Sequence, residues 1–389
     1  MNEQHFRHAT PEFRTFWGEG ALTSLPGEMK RVGSQRAAII CSASMLRHPE
    51  ALAKVEAALG DRLAGRFEGA QEHSPLPAVE NARSFLSEVR ADAIVVVGGG
   101  SAIVTARAAS ILLAEQAGVR ELCTRRGPDG RLVSPRLTAP KVPQWIVPTT
   151  PTTAYAKAGC AVRDPATGER LALFDPKARA QGVFFDPMLA LTAPAPLVQS
   201  SALNAFAMSI DGLQSDTDDP LAHALLMHAL RLLVKWLPEA SIAPDPQQRL
   251  RLMHASLLAG QGSDYVGTGL AQALSHTIGP WSSTANGVVE AMLLPHTMRF
   301  NAEVVGARLS ALAPVLNHGG SRQSTPERVV ATAEEFLRSR GVPGRLRDVG
   351  IARDSLDAVV DHAMEDWAIT RVPRRASRED LTKLLEGAW

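Results

Sequence analysis

Between residues 94 and 101 the chain reads Ile94-Val95-Val96-Val97-Gly98-Gly99-Gly100-Ser101, and Ala102-Ile103-Val104-Thr105-Ala106-Arg107-Ala108-Ala109-Ser110 follows without a break. Consecutive branched apolar residues predict a strand buried on both faces, and the alanine-rich run predicts a helix. A strand, a glycine turn and a helix in immediate succession are the parts of a phosphate cradle. Glycines let an anion approach the backbone, Ser101 is placed to cap the helix, and the helix N-terminus offers N–H groups and partial positive charge. The same arrangement also serves close packing of helix on strand, so these residues alone leave both readings standing.

The flanking sequence extends the pattern. Arg36-Ala37-Ala38-Ile39-Ile40-Cys41-Ser42 predicts a second buried strand that ends in small polar residues, where a doubly wound sheet binds its ligand. Phe13 to Trp17 is extended, Pro49 to Leu59 and Ala78 to Val89 have helical spacing, and Arg66 to Gly69 is a brief strand. Arg125 to Gly130 reads as a loop. The strand Gln144-Trp145-Ile146-Val147-Pro148 ends in Thr149-Thr150-Pro151-Thr152-Thr153, a hydroxyl-rich loop that cannot be helical through Pro151. Its hydroxyls suit a phosphate or a carboxamide, and equally suit a solvated turn. Short strands follow at Ala161–Arg163, Leu171–Phe174 and Gly182–Phe185. Strands alternating with helices predict a mostly parallel sheet covered on both faces.

After Asp186-Pro187 the apolar residues recur at three and four, in blocks such as Ala222 to Leu237, Leu250 to Gly260, Val288 to Asn301, Pro326 to Arg340 and Arg378 to Trp389. The predicted architecture is an α/β nucleotide-binding domain over residues 1–187 and an all-α domain over 188–389, with the cleft between them as the default active site. Asn317 to Ser321 is read as a loose loop. Length and composition agree: 389 residues that are 45% hydrophobic bury a large core and suffice for two domains. A formal net charge of +1 gives no reason to expect a nucleic-acid partner. Three dispersed cysteines, Cys41, Cys123 and Cys160, argue against a disulfide framework or a thiolate zinc site and fit a reducing cytoplasm. No export signal and no membrane span are expected.

Four segments in order carry a resemblance over nearly the whole chain. They are Gly98-Gly99-Gly100-Ser101 with Ala106-Arg107, then Val147-Pro148-Thr149-Thr150, then Leu274-Ser275-His276-Thr277-Ile278-Gly279, and then Leu294-Pro295-His296-Thr297-Met298-Arg299-Phe300-Asn301. Together they resemble the landmarks of the iron-containing (group III) alcohol dehydrogenase superfamily, whose fold is dehydroquinate synthase-like. Trp17 to Leu22, His73-Ser74-Pro75 and Leu381 to Trp389 are similar to the maleylacetate reductase branch. The resemblance implies a Rossmann-like N-terminal domain, an all-helical C-terminal domain, a homodimer, and a reductase that uses NAD or NADP on a small-molecule substrate. Ser42, Gly98, Gly99, Gly100, Ser101, Thr149, Thr150 and Thr153 are then the residues expected at the dinucleotide. No acid stands near Ser42 to hold an adenine ribose or to repel a 2′-phosphate, which leaves NADH and NADPH both open.

Departures from that pattern matter as much. The four metal-ligand positions of metal-dependent members fall on Asn204, Met208, Gln272 and Asn286. Neutral amides and a thioether suit a divalent Fe or Zn ion poorly, so no catalytic metal is expected, and Met208 reads as core packing. His276 is the surviving histidine of the constellation. It stands four after Gln272, on the same helical face, and is a candidate proton donor where a bare sequence reading allows a structural hydrogen bonder. His223 and His228 are five apart, His254 stands alone, and His296 is expected to pack at a helix start.

Without a metal, hydride delivery favours a substrate that spreads its own charge, because a metal ordinarily supplies several kilocalories of alkoxide stabilisation. Asn204, Gln272 and Asn286 as hydrogen-bonding amides, with His276 as acid, suit reduction of an activated alkene or carbonyl in a small oxo-acid, maleylacetate-like. Arg163, Lys157 and Arg299 are candidate cations for an acidic substrate. Two rivals stand beside this reading: a non-redox lyase, hydrolase or isomerase of the same fold, and a non-catalytic nucleotide binder.

Overall fold

The computed structural model describes residues 8–127, 132–237, 245–279, 282–317 and 324–389. Residues 318–321 of the Asn317–Ser321 segment and 128–130 of the Arg125–Gly130 segment lie outside them, as does the N-terminal stretch 1–7. The strands are β1 Arg14–Trp17, β2 Ala37–Cys41, β3 Leu63–Phe67, β4 Ala93–Gly98, β5 Arg125–Arg126, β6 Leu132–Val133, β7 Gln144–Pro148, β8 Gly159–Arg163, β9 Arg170–Phe174 and β10 Gly182–Phe185. The helices of the first half are α1 Leu25–Arg31, α2 Pro49–Leu59, α3 Leu76–Glu88, α4 Gly100–Glu115, α5 Val119–Leu122 and α6 Pro187–Ala190. Then come α7 Ala195–Gln214, α8 Pro220–Trp236, α9 Pro246–Val266, α10 Leu270–Ile278, α11 Asn286–Ser310, α12 Ala313–Leu316, α13 Pro326–Ser339, α14 Leu356–Glu365 and α15 Arg378–Ala388.

Six strands form one parallel sheet in the order β1-β10-β7-β4-β2-β3. Every residue of β2, β4, β7 and β10 is buried, as the unbroken apolar runs predicted. Alternation assigns the faces. Ala37, Ile39, Cys41, Val95, Val97, Trp145 and Val147 join Leu25 and Met29 of α1 and Leu52, Val55 and Leu59 of α2 in one cluster. Helix α4 lies against β4 and β2 and packs on α3. The segment read as a loop from Arg125 begins instead with β5, which pairs antiparallel with β6. A second antiparallel pair joins β8 to β9.

Among the described residues no strand follows β10, and every regular element after it is a helix. Helix α11 is central there, packing on α7, α10, α13 and α15. It runs unbroken through Pro295 to a non-helical residue, Val305. His296 therefore sits mid-helix, not at the helix start expected of it. A helix that already holds residues 286–294 tolerates the single backbone bond that Pro295 removes. The described residues divide into two compact units, one of residues 10–194 with 245–253, the other of 8–9, the described part of 195–244, and 254–389. No described helix is long and apolar enough to cross a membrane.

Candidate active site

Strand register assembles one candidate site. Cys41 of β2 pairs with Val97 of β4, and Gly98 pairs with Pro148 of β7, so the three strands end level. After β2 the chain turns toward β3; after β4 it turns toward β7, on the opposite side. Diverging connections at the carboxyl ends of neighbouring strands open the crevice where doubly wound sheets bind ligands. Ser42, the turn Gly98–Ser101 and the threonine loop from Thr149 all lie at these strand ends, and the Thr149 N–H donates to the Gly98 carbonyl at 3.1 Å.

The turn's glycines are there for space and for conformation. Gly98 has φ +151°, and a Cβ on Gly99 would lie 2.8 Å from Oγ1 of Thr150. Gly99, not Ser101, is the N-cap of α4, and no side chain caps it. Ser101 is the second helical residue, and its carbonyl accepts from the Ser74 hydroxyl at 2.9 Å. An uncapped first turn leaves its N–H groups to an anion. Ser42 Oγ is 2.6 Å from Ser44 Oγ.

Two buried side chains to which the sequence reading gave no role shape the loop. Arg107, fully buried on α4, donates to the carbonyls of Ala154 at 2.8 Å and Gly159 at 3.0 Å. Tyr155 donates its hydroxyl to the Thr150 carbonyl, accepts from the Thr152 N–H at 3.1 Å, and packs edge-on against Phe185. Ala106-Arg107 was a visible landmark, but nothing in it told which carbonyls it would reach. Thr149, Thr150 and Thr153 are buried.

A second polar cluster is built by α7, α10 and α11, pinned together pairwise by glycines. A Cβ on Gly287 of α11 would fall 1.9 Å from the Ser200 carbonyl of α7, so the two backbones touch. A Cβ on Gly269, the N-cap of α10, would fall 2.2 Å from Cγ of Asp211 on α7. Gly279, just past α10, lies beside the Asn286 carboxamide at the start of α11. One turn beyond the Ser200–Gly287 contact, Asn204 donates its amide nitrogen to Oε2 of Glu290, a fully buried carboxylate. Met208 accepts from the Ser263 hydroxyl at 3.1 Å, as ordinary packing. Gln272 is buried with its Oε1 lacking a hydrogen-bond donor. Asp211 faces the N–H groups of Gly269, Ala271 and Gln272, none in full hydrogen-bond geometry; burial pushes its carboxyl up to about 7 against their opposing pull.

His276, on α10 with Gln272, has its Nδ1 3.0 Å from Oδ2 of Asp366, both side chains 8% exposed. Asp366 is itself fixed, its other oxygen accepting from the Ala368 N–H at 2.8 Å. A carboxylate on Nδ1 sets the tautomer and aims the ring. Asp366 lies 90 residues away in a stretch without motif, so no sequence signal marked it. His223 and His228 lie on α8 and His254 on α9, and burial lowers the affinity of His296 for protons. Of the proposed cations, Arg299 is paired with Glu334 and Arg163 ends the β8–β9 ribbon.

The donor set decides whether a metal fits. Asn204 turns its amide nitrogen to Glu290, Met208 is engaged by Ser263, and Gln272 and Asn286 are neutral amides. Among the described residues no group of three or more His, Cys, Asp or Glu is placed to hold an ion. These residues do not fit a divalent iron or zinc ion. The uncapped glycine turn, in contrast, fits a dinucleotide's pyrophosphate.

Comparison with known proteins covers both halves. Residues 11–187 match the family described as iron-containing alcohol dehydrogenase, and residues 198–389 match the Fe-containing alcohol dehydrogenase family, C-terminal. The chain is 28% identical over 388 residues to lactaldehyde reductase of Escherichia coli strain K12, covering 96% of this chain and 98% of the relative. It is 28% identical over 377 residues to maleylacetate reductase 2 of Cupriavidus pinatubonensis, covering 97% and 94%. The fold is shared with the solved alcohol dehydrogenase of Oenococcus oeni, with TM-score 0.88, 22% identity, and 96% and 98% of the two chains covered.

Proposed function

The chain belongs to the iron-containing alcohol dehydrogenase family, a family of oxidoreductases, and on that premise we propose that it is a metal-independent, NAD(P)H-dependent reductase of a small activated carbonyl or conjugated alkene, the oxo-acid of a maleylacetate-like substrate included. The observation that carries this reading is three amides and a thioether at the family's ion-binding positions, beside an aspartate-held histidine.

NADH or NADPH, when bound, supplies the hydride. Gly98 to Ser101 and the first turn of α4 hold its pyrophosphate, while Thr149, Thr150 and Thr153, with Ser42, line the same strand ends. His276 gives a proton to the substrate oxygen of a carbonyl, or to carbon in a conjugated alkene, and Asp366 keeps the ring turned for that transfer. The Asn286 carboxamide donates to the oxygen that gains charge; one such donor contributes about 3 kcal/mol in a site that excludes water. That is less than a metal supplies, which is why an activated substrate suits this site.

The test combines metal analysis with turnover. Purified protein is expected to hold well under one equivalent of iron or zinc and to oxidise NADH or NADPH against activated carbonyls and alkenes equally well with and without chelator. Stoichiometric metal with chelator-sensitive turnover overturns metal independence. Dinucleotide binding without oxidation across the panel instead favours a non-redox enzyme of the same fold.

A further inference from the structure

The loop that joins β3 to α3 crosses the end of β2 to reach α4. At one end Gly69 bridges Ser42, and the Ala70 N–H donates to the Cys41 carbonyl at 3.1 Å. At the other, the Ser74 hydroxyl donates to the Ser101 carbonyl in the first turn of α4 at 2.9 Å, and the Ser74 carbonyl accepts from the Arg163 N–H of β8 at 3.2 Å. Residues 69–74 therefore run along the strand-end face from Ser42 to the uncapped turn proposed for the pyrophosphate. Just at the second anchor the backbone bends against its own preference. His73 and Ser74 follow one another at φ +60° and +48°, a left-handed region that residues other than glycine enter rarely and at a cost. Ser74 is buried, and its three hydrogen bonds, the third from its N–H to the Gln71 carbonyl, hold the bend. The His73 side chain is left 44% exposed, with its Nε2 3.8 Å from Oε1 of the exposed Glu72, beyond hydrogen-bond reach. Its imidazole makes no hydrogen bond to a described residue.

Strain of this kind persists where the surroundings enforce it, and what it gains here is one free imidazole stationed between Ser42 and Ser101. Resting on the dinucleotide-binding reading, we infer that His73 is a phosphate-binding residue, whose imidazolium meets the pyrophosphate held at the first turn of α4. Helix N–H groups attract a phosphate by partial charge, and a full positive charge beside them adds a charge-assisted hydrogen bond. The charged groups on the surrounding elements leave that role to His73. The first turns of α3 and α4 carry no acid, and among the described residues Glu72 is the one acid within 4 Å of the ring. At the ends of β2 and β3, Glu68 is engaged by Arg66, which also pairs with Glu56, and burial pushes the Cys41 thiol up to about 11. β8 contributes a cation, Arg163, at the Ser74 anchor. The proton on the imidazole comes from solvent, so binding takes one up wherever the free ring is neutral.

The experiment measures NADH affinity by calorimetry at pH 6 and pH 8.5 in the wild type, His73→Asn and His73→Gln. NADH is the probe because its pyrophosphate keeps the same charge across that range. Asparagine accepts the left-handed backbone and lacks the imidazole, so the bend and the melting temperature are expected to hold. At pH 6 the wild type is expected to bind about tenfold more tightly than His73→Asn, the worth of one hydrogen bond to a charged group, and to lose most of that advantage at pH 8.5. Both variants are expected to bind alike at the two pH values. Heats in buffers of different ionisation enthalpy should report a proton taken up by the wild type on binding, which a merely structural His73 does not give. Equal affinity of the wild type and His73→Asn at pH 6, or a pH dependence of the same size in all three proteins, overturns the inference and leaves the dinucleotide reading standing. No binding of NADH or NADPH by the wild type at either pH overturns both. Where His73→Asn does not fold, His73→Gln decides by the same comparison.

Discussion

The glycine turn and the α7–α10–α11 cluster are assembled in opposite ways. At the turn, strand, glycines and helix are consecutive, and what the chain offers there is backbone N–H groups that any sequence with small residues would present. In the cluster, residues 204, 272, 276, 286, 290 and 366 come from four separate segments, and what the chain offers there is side-chain ends. The first kind of site tolerates change in side-chain chemistry but not in volume. The second tolerates little change in chemistry, because each hydrogen bond in it joins side chains from different segments.

The sharpest way to test that contrast is to add volume at the turn. Gly99→Val puts branched carbon where Oγ1 of Thr150 lies 2.8 Å from a Cβ, and calorimetry is expected to find no binding of NADH or NADPH, with the helical unit still folded by its own thermal transition. Unchanged affinity would place the dinucleotide elsewhere. Next comes a change of chemistry at constant shape. His276→Asn is expected to lower kcat by about 100 to 10,000-fold per folded molecule while dinucleotide affinity stays near normal. Near-normal turnover would end its role as acid.

A smaller loss is expected from Asp366→Asn, which leaves the imidazole but replaces an acceptor-only carboxylate by an amide that can also donate, so the tautomer is no longer set. About tenfold in kcat, with the alkaline limb of the pH profile moved, separates orientation from simple packing damage, which would leave the profile in place. The smallest effect concerns stability. Asp211 has its carboxyl raised by burial to about 7 from an ordinary value of 3.8, so the folded chain holds this proton more tightly than the unfolded one. Its contribution is fully present below the unfolded value and is lost as pH rises through the folded one, and the melting temperature should fall between pH 4 and pH 8 on its account. Asp211→Asn is expected to flatten that slope; an unaltered slope means that another group controls it.

How much was legible in the sequence follows the same divide. The buried strands β2, β4 and β7 announced themselves as apolar runs, and the turn lay in plain order between strand and helix. Ser101 was misplaced as a cap because capping depends on where the helix begins, and the extended backbone of Gly99 moved that point two residues earlier. His296 was misplaced because Pro295 reads as a start, while helix α11 was already nine residues long when it arrived. His276 was visible by its spacing from Gln272, but Asp366 and Glu290 were not. Which carboxylate meets which imidazole or amide is decided by the packing of distant segments, and no local periodicity encodes that.

Arg107 carries a consequence for motion. Its guanidinium, buried with α4, grips the carbonyls of Ala154 and Gly159 and thereby ties the loop that follows the threonines to a core helix. Loops ordinarily open on their own, with little protection of their amides. This one cannot part from α4 without stranding a buried positive charge, so its backbone amides should exchange with solvent at the slow pace of the helix, and the strand-end face proposed for the dinucleotide is a standing template and not a lid.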